Sequence, residues 1–290
     1  MKITAIIPTL NAEKELATLL QALQHQSFPI DEIIVIDSQS DDATERICRE
    51  YDVIFLSVNR ASFNHGTTRD RAFRHSTGDF VLFFTQDALP VDEHCVEHLL
   101  LPFQDETVVM ASGRQMAKKE ASLTEKWIRA FNYPSQSKIR SKENIPELGI
   151  KTFFTSNVCA AYRRTAYLQV GGFESPVLTN EDMLIAARFI FAGYKVAYCA
   201  EAKVIHSHQF SLKQSFVRNY KIGKFMRCYA SAFQNIRTSS EGMKMAQYVL
   251  SHLYKQRQIA QMACFCLECA VKWTAFQCGF RFSNPDIKKA

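Results

Sequence analysis

Five consecutive apolar residues, Phe80-Val81-Leu82-Phe83-Phe84, stop abruptly at Thr85-Gln86-Asp87. A short unbroken apolar run predicts a strand covered on both faces, as in a parallel sheet flanked by helices. The same pattern predicts strands at 3–7, 32–37 and 53–56, and further ones at 108–111, 195–198 and 203–206. Between them the apolar spacing turns helical. In 13–24 it runs through Leu16, Leu19, Leu20 and Leu23, and helices follow at 44–50, up to Arg74, and at 90–101, 122–131, 163–170 and 181–191. Gly171-Gly172 and Gly193 stop the last two. Strand-helix alternation at this pace predicts an α/β fold with a doubly wound, mostly parallel sheet. In 118–147 the pattern weakens, and a mobile loop is expected over 132–150, the kind of long loop that often acts as a lid. From Leu212 the chain becomes helical and basic, with Arg218, Lys221, Lys224 and Arg227 among Phe216, Tyr220, Phe225 and Tyr229.

The division expected is therefore a catalytic or binding domain over 1–211 and a helical extension over 212–290. The segment 254–280 is apolar but interrupted by Gln261, Glu268 and Lys272. It is expected to lie in a membrane interface or to pack on the main domain rather than to span a bilayer. The start of the chain lacks the features of a signal peptide. Nine cysteines, an odd and scattered set, favour reduced thiols and a cytoplasmic setting. Cys264, Cys266 and Cys269 lack the loop geometry and fourth ligand of a zinc site. A net charge of +6 admits nucleotides, nucleic acid or anionic lipid as partners without selecting one. No nucleic-acid reader motif is present, so nucleic acid is not expected as a partner.

Two strand-end carboxylates, Asp37 and Asp87, lie where open α/β sheets bind ligands. Asp87 is either the floor of a crevice or a strand-end cap. Phosphates facing Asp87 require a divalent cation between them, magnesium or manganese. Arg69, at a loop-to-helix boundary, has the charge to balance a diphosphate. Asn180-Glu181-Asp182 opens a helix, either as a capped start or as a general base. His206-Ser207-His208 puts two imidazoles on one side of a strand, as metal ligands or as ordinary surface histidines.

Together these stretches resemble an inverting family 2 glycosyltransferase of the GT-A fold. The likeness is carried by Ile6-Ile7-Pro8-Thr9-Leu10-Asn11, by Val35-Ile36-Asp37-Ser38 and its polar continuation to Thr44, and by Thr68-Arg69-Asp70 and Asp87. It continues in Gly171-Gly172-Phe173, Asn180-Glu181-Asp182 and the His206 segment. Phe63-Asn64-His65-Gly66, Gly113-Arg114-Gln115, Asn132-Tyr133-Pro134 and His206-Ser207-His208 resemble the rhamnosyltransferase branch. The resemblance implies a nucleotide-sugar pocket containing Pro8, Thr9, Asn11, Asp37, Arg69, Gln86, Asp87 and Asn157, with Arg114 a weaker candidate. It implies a metal held by Asp87 with His206 or His208, the first Asp of the family's Asp-x-Asp motif being absent here. Asp182 matches the catalytic base, with Glu181 orienting it or binding acceptor. The activity implied is transfer of L-rhamnose from dTDP-rhamnose to a lipid-linked surface glycan of O-antigen or capsule type, at the inner face of the cytoplasmic membrane. The alternatives are a UDP-sugar-dependent transferase and a noncatalytic nucleotide-sugar or glycan-binding module.

Overall fold

The structure, a computed structural model, describes residues 1–237 and 241–283. Residues 238–240 and 284–290 of the expected extension lie outside the described residues. The elements in chain order are β1 (Ile3–Thr9), α1 (Leu16–Gln24), β2 (Glu32–Asp37), α2 (Thr44–Glu50), β3 (Ile54–Ser57), α3 (His65–His75), β4 (Phe80–Phe84), β5 (Leu89–Pro90), α4 (Cys95–Leu100) and β6 (Val108–Met116). They continue as α5 (Leu123–Asn132), β7 (Lys138–Arg140), α6 (Ile145–Leu148), β8 (Cys159–Arg163), α7 (Arg164–Gln169), α8 (Glu181–Phe191), β9 (Lys195–Ile205), α9 (Leu212–Cys228), α10 (Glu241–Lys255) and α11 (Ile259–Phe282).

One sheet runs in the order β3-β2-β1-β4-β8-β6-β9-β5, with β7 alongside β9. Its first four strands are parallel, which leaves Asp37 and the residues after Phe84 at the same end. The apolar run of β4 is buried throughout because both faces are covered. Phe80, Leu82 and Phe84 pack with the leucines of α1 and with α4. Val81 and Phe83 pack with Phe73 of α3, Tyr167 of α7 and α8. Phe225 of α9 enters this second core, so the start of the C-terminal helical region is joined to the sheet by apolar burial. α9 and α11 cross at two glycines. A Cβ on Gly223 would meet the Phe276 carbonyl oxygen at 2.2 Å, and one on Gly279 would meet that of Tyr220 at 2.0 Å.

Four expectations are corrected. First, β8 is a strand the apolar pattern did not predict, inserted antiparallel between β4 and β6. Its Cys-Ala-Ala-Tyr sequence has few of the β-branched side chains that mark strands. Second, the two short strands at 195–198 and 203–206 are one strand, β9, with a register shift opposite Gly113 and Arg114. Third, the expected loop at 132–150 carries β7 and α6, and the guanidinium of buried Arg140 donates to the Lys151 carbonyl at 2.9 Å. Main-chain pairing with β9 orders this stretch without an apolar run of its own. Fourth, α11 is continuous and, by length and composition, long and apolar enough to cross a membrane. Glu268 and Lys272 pair at 2.6 Å, which offsets the charges that were expected to disqualify it.

Candidate active site

The loops after β1, β2 and β4 meet at the C-terminal edge of the parallel strands. Thr9 and Asp37 are register partners, and the Thr9 hydroxyl donates to Asp37 Oδ1 at 2.8 Å. The Ser40 amide and hydroxyl donate to the same carboxylate at 2.8 and 2.6 Å. Asp37 is thus buried with both oxygens engaged by its own loop. Asn11 adopts a left-handed backbone (φ 52°), which asparagine tolerates better than most residues. Its side-chain oxygen accepts from the Asp41 amide at 3.1 Å and from Arg60 at 3.4 Å. Gln86 holds the Leu10 backbone from both sides, accepting at 2.9 Å and donating at 3.2 Å. Pro8 is half-buried one residue before Thr9. These residues lie together at one edge of the sheet, but Gln86 braces the β1 loop, and the Asp37 oxygens already accept three hydrogen bonds.

Asp87, next to Gln86, comes together with His206 and His208. Both imidazole Nε2 atoms approach Asp87 Oδ2, at 3.4 Å for His206 and 3.3 Å for His208. Donors at neighbouring positions around a six-coordinate ion, each about 2.1 Å from it, sit roughly 3 Å apart. The three candidate donor atoms lie within 4.8 Å of one another, a spacing that suits one divalent cation. Burial, with help from Arg129, His208 and Arg218 and against the pull of Asp87, lowers the His206 pKa to about 3. Burial likewise lowers that of His208. Both rings are therefore neutral near pH 7, the ligating form.

Gln115 and Arg129 support this cluster; Gln115 stands in a stretch that carries the resemblance but is given no role by it, and nothing in the sequence marks Arg129. Arg129 donates both to Glu125, at 2.8 Å, and to the Gln115 side-chain oxygen, which fixes that oxygen as an acceptor. His206 Nδ1 lies 3.0 Å from the same oxygen and so must carry its proton, leaving the Nε2 lone pair facing Asp87. Replacing Gln115 by methionine is expected to raise the Kd for Mn2+ by about 10–100-fold, the usual effect of losing a group that orients a ligand. Calorimetric titration of Mn2+ into both proteins checks this, and equal affinities would remove Gln115 from the site.

A second cluster sits at the start of α8. Arg69 and Glu181 form a buried ion pair at 3.2 Å. Asn157 Nδ2 donates to Glu181 at 3.1 Å, and the Tyr162 hydroxyl donates to Asn157 at 2.6 Å. His65 lies one helical turn before Arg69 on α3, and its Nδ1 accepts from that guanidinium at 3.1 Å. Burial opposes the charge on Glu181, but Arg69, His65 and Asn157 together hold its pKa below the usual carboxylate value. The charge of Arg69, the residue expected near a diphosphate, is paired with that of Glu181. The adjacent Asp182 behaves in the opposite way. Burial and then the charge of Glu181 raise its pKa to about 7, against amide donation from Met183 at 2.8 Å and Asn157 at 3.2 Å. Two neighbouring carboxylates thus differ widely in basicity, one held ionised and one poised near neutrality. Arg114 lies outside both clusters, at the register shift of β6, where its charge acts on Tyr198.

The sheet order, with Asp37 and Asp87 at the ends of its parallel strands, is that of the GT-A fold. The chain belongs to the glycosyl transferase family 2, whose profile matches residues 4–171. Among its relatives is the O-antigen chain rhamnosyltransferase RfbN of Salmonella typhimurium, 41% identical over 230 residues, covering 79% of this chain and 73% of the relative. The O-antigen chain rhamnosyltransferase WbaN of Salmonella anatum is 41% identical over 227 residues, covering 78% and 72%. The fold matches that of the mannosyltransferase PcManGT from Pyrobaculum calidifontis, solved with GDP-Man and Mn2+. The TM-score is 0.66 at 17% identity, over 98% of this chain and 88% of that one. It also matches S. aureus TarS 1-349 in complex with UDP-GlcNAc, with a TM-score of 0.60 at 18% identity, over 88% and 73%.

Proposed function

We propose that this glycosyltransferase moves L-rhamnose from dTDP-rhamnose to a lipid-linked surface glycan, with inversion at the anomeric carbon. The observation that carries the choice of sugar is the identity of 41% to two O-antigen chain rhamnosyltransferases across more than three quarters of the chain. The sheet edge at Pro8, Thr9, Asn11 and Asp37 receives the nucleotide, with Asn157 bordering the sugar and Gln86 keeping the β1 loop in place. Asp87, His206 and His208 hold a divalent cation, for which two imidazoles favour manganese over magnesium. When bound, that cation supplies Lewis-acid stabilisation to the departing diphosphate.

Asp182 accepts the proton of an acceptor hydroxyl. The freed oxygen bonds to the anomeric carbon from the face opposite the diphosphate, and the electron pair of the breaking C–O bond leaves with dTDP. Glu181, fixed by Arg69 and Asn157, keeps the Asp182 pKa high enough for a base working near neutral pH. The enzyme acts in the cytoplasm, with residues 1–211 forming the catalytic unit. The basic, aromatic side of α9 rests on anionic lipid at the inner membrane face.

Thermal shift tests the donor. At a dTDP-rhamnose concentration about 100 times Kd, with Mn2+, binding adds about 2.7 kcal/mol to stability and raises the Tm. UDP-sugars and GDP-sugars are expected to give smaller shifts. A larger shift with a UDP-sugar would overturn the choice of donor, and product release without transfer would favour a different acceptor. Binding with no turnover towards any acceptor would favour a noncatalytic module.

A further inference from the structure

Three of the polar residues in α11, Gln261, Glu268 and Lys272, are spaced by seven and four, which places them on one helical face. That face lines a cavity of about 630 Å³, closed by α5 and α9. The size is that of a small-ligand site. From 259 to 273 the opposite face of α11 is apolar and exposed, with Ile259, Leu267 and Trp273 at 63%, 54% and 65%, and polar side chains return to it only in the last turns, at Thr274, Gln277 and Arg281. A helix with its polar face turned towards a cavity and its apolar face turned outwards reverses the arrangement of a water-exposed helix. It suits a helix whose outer side meets lipid.

The cavity wall carries two further signs of a ligand. Ser215 is 1% exposed and its hydroxyl has no partner among the described residues, although it borders the cavity. Buried hydroxyls are nearly always paired, so this one is set to bond something that enters. Arg218 on the same wall stacks over the Phe210 ring at 5.2 Å and forms no ion pair among the described residues. Aromatic faces beside hydrogen-bonding groups match a saccharide, which offers C–H faces and hydroxyls. At one end the cavity reaches His208, and on its wall stands Tyr133, on which the charge of Asp182 acts. It therefore adjoins the first cluster at His208 and extends towards the second at Tyr133.

We infer that this cavity is the acceptor site and holds the saccharide of a lipid-anchored glycan, whose apolar anchor leaves along the outer face of α11. The inference rests on the transferase reading above and adds where the acceptor binds and why it is amphiphilic. The saccharide enters between α9 and α11, its reacting hydroxyl points to Asp182, and its anchor stays in the lipid that α11 faces.

Cys264 lines the cavity and is exposed, and Cys266, two residues on and also exposed, is not among the cavity-lining residues. Alkylation of the full chain by N-ethylmaleimide, with Mn2+ and dTDP present, is followed at each cysteine by peptide mass spectrometry. The probes are n-octyl glucoside, galactoside and mannoside below their micelle-forming concentrations, against the methyl glycosides. At about four times Kd, occupancy slows a covered thiol about fivefold. We expect an octyl glycoside to slow Cys264 by that factor and leave Cys266 unchanged. Methyl glycosides are expected to do so only at higher concentration. Ile222→Trp, which fills the cavity from α9, should abolish the protection while dTDP-rhamnose still raises the Tm. If no probe slows Cys264 more than Cys266 while dTDP-rhamnose binding persists, the acceptor site is misplaced and the donor reading stands. Protection of Cys264 in a protein that binds no nucleotide sugar would instead overturn the donor reading.

Discussion

Asp182→Asn is expected to lower turnover by about 10²–10⁴-fold, the range contributed by a positioned general base, while donor affinity stays unchanged. The substitution keeps the size of the side chain and one oxygen, which can accept from the Met183 amide or the Asn157 amide but not both, and the side-chain amide cannot take a proton at neutral pH. The pH profile adds a second test. The Asp182 pKa is raised to about 7 by burial and then by Glu181. A base works only when deprotonated, so kcat/KM should fall about tenfold per pH unit below that value and level off above it. Glu181→Gln removes the neighbouring negative charge, and the midpoint should move to lower pH. A profile flat from pH 5 to pH 8, or an Asp182→Asn enzyme with wild-type turnover, would assign the base elsewhere.

Particular residues show how much of this was legible beforehand. β1, β2 and β4 could be read because each is an apolar run buried on both faces, and the period of such a run is visible in one dimension. β8 could not, because its alanines are held by the strands on either side rather than by their own propensity. Asp87, His206 and His208 were each readable as candidates by residue type and strand position, but the distances between them depend on β9 returning beside β6, a long-range pairing. Gln115 was beyond reach because its importance lies in one oxygen shared between Arg129 and His206, and nothing in a glutamine on a strand announces that. Arg69 was legible as a functional arginine, but not as the partner of Glu181, 112 residues away in the chain. The polar residues of α11 were read as interruptions. Their common orientation only has meaning once α5 and α9 close a cavity against them.

The Arg69–Glu181 pair should give the largest stability effect in the molecule. Both side chains are 7% exposed and lie 3.2 Å apart. Removing one partner of such a pair leaves the other charge buried and unbalanced, at about 3–5 kcal/mol. Arg69→Met is therefore expected to destabilise the fold by that amount in urea titration, through a lower midpoint with an unchanged slope. Arg69→Met combined with Glu181→Gln removes both charges while keeping an oxygen to accept from Asn157. Because replacing a whole buried pair is often close to neutral, the double variant should recover most of the lost stability. Activity should not return with it. Without Glu181 the Asp182 carboxyl loses the charge that raises its pKa, and α3 loses its ionic link to the start of α8. Stability restored with activity still impaired separates the two roles of the pair, one in holding the helices together and one in tuning the base. If the double variant is no more stable than Arg69→Met, the pair is not the source of the effect. Recovery of turnover together with stability would reduce the pair to a structural clamp.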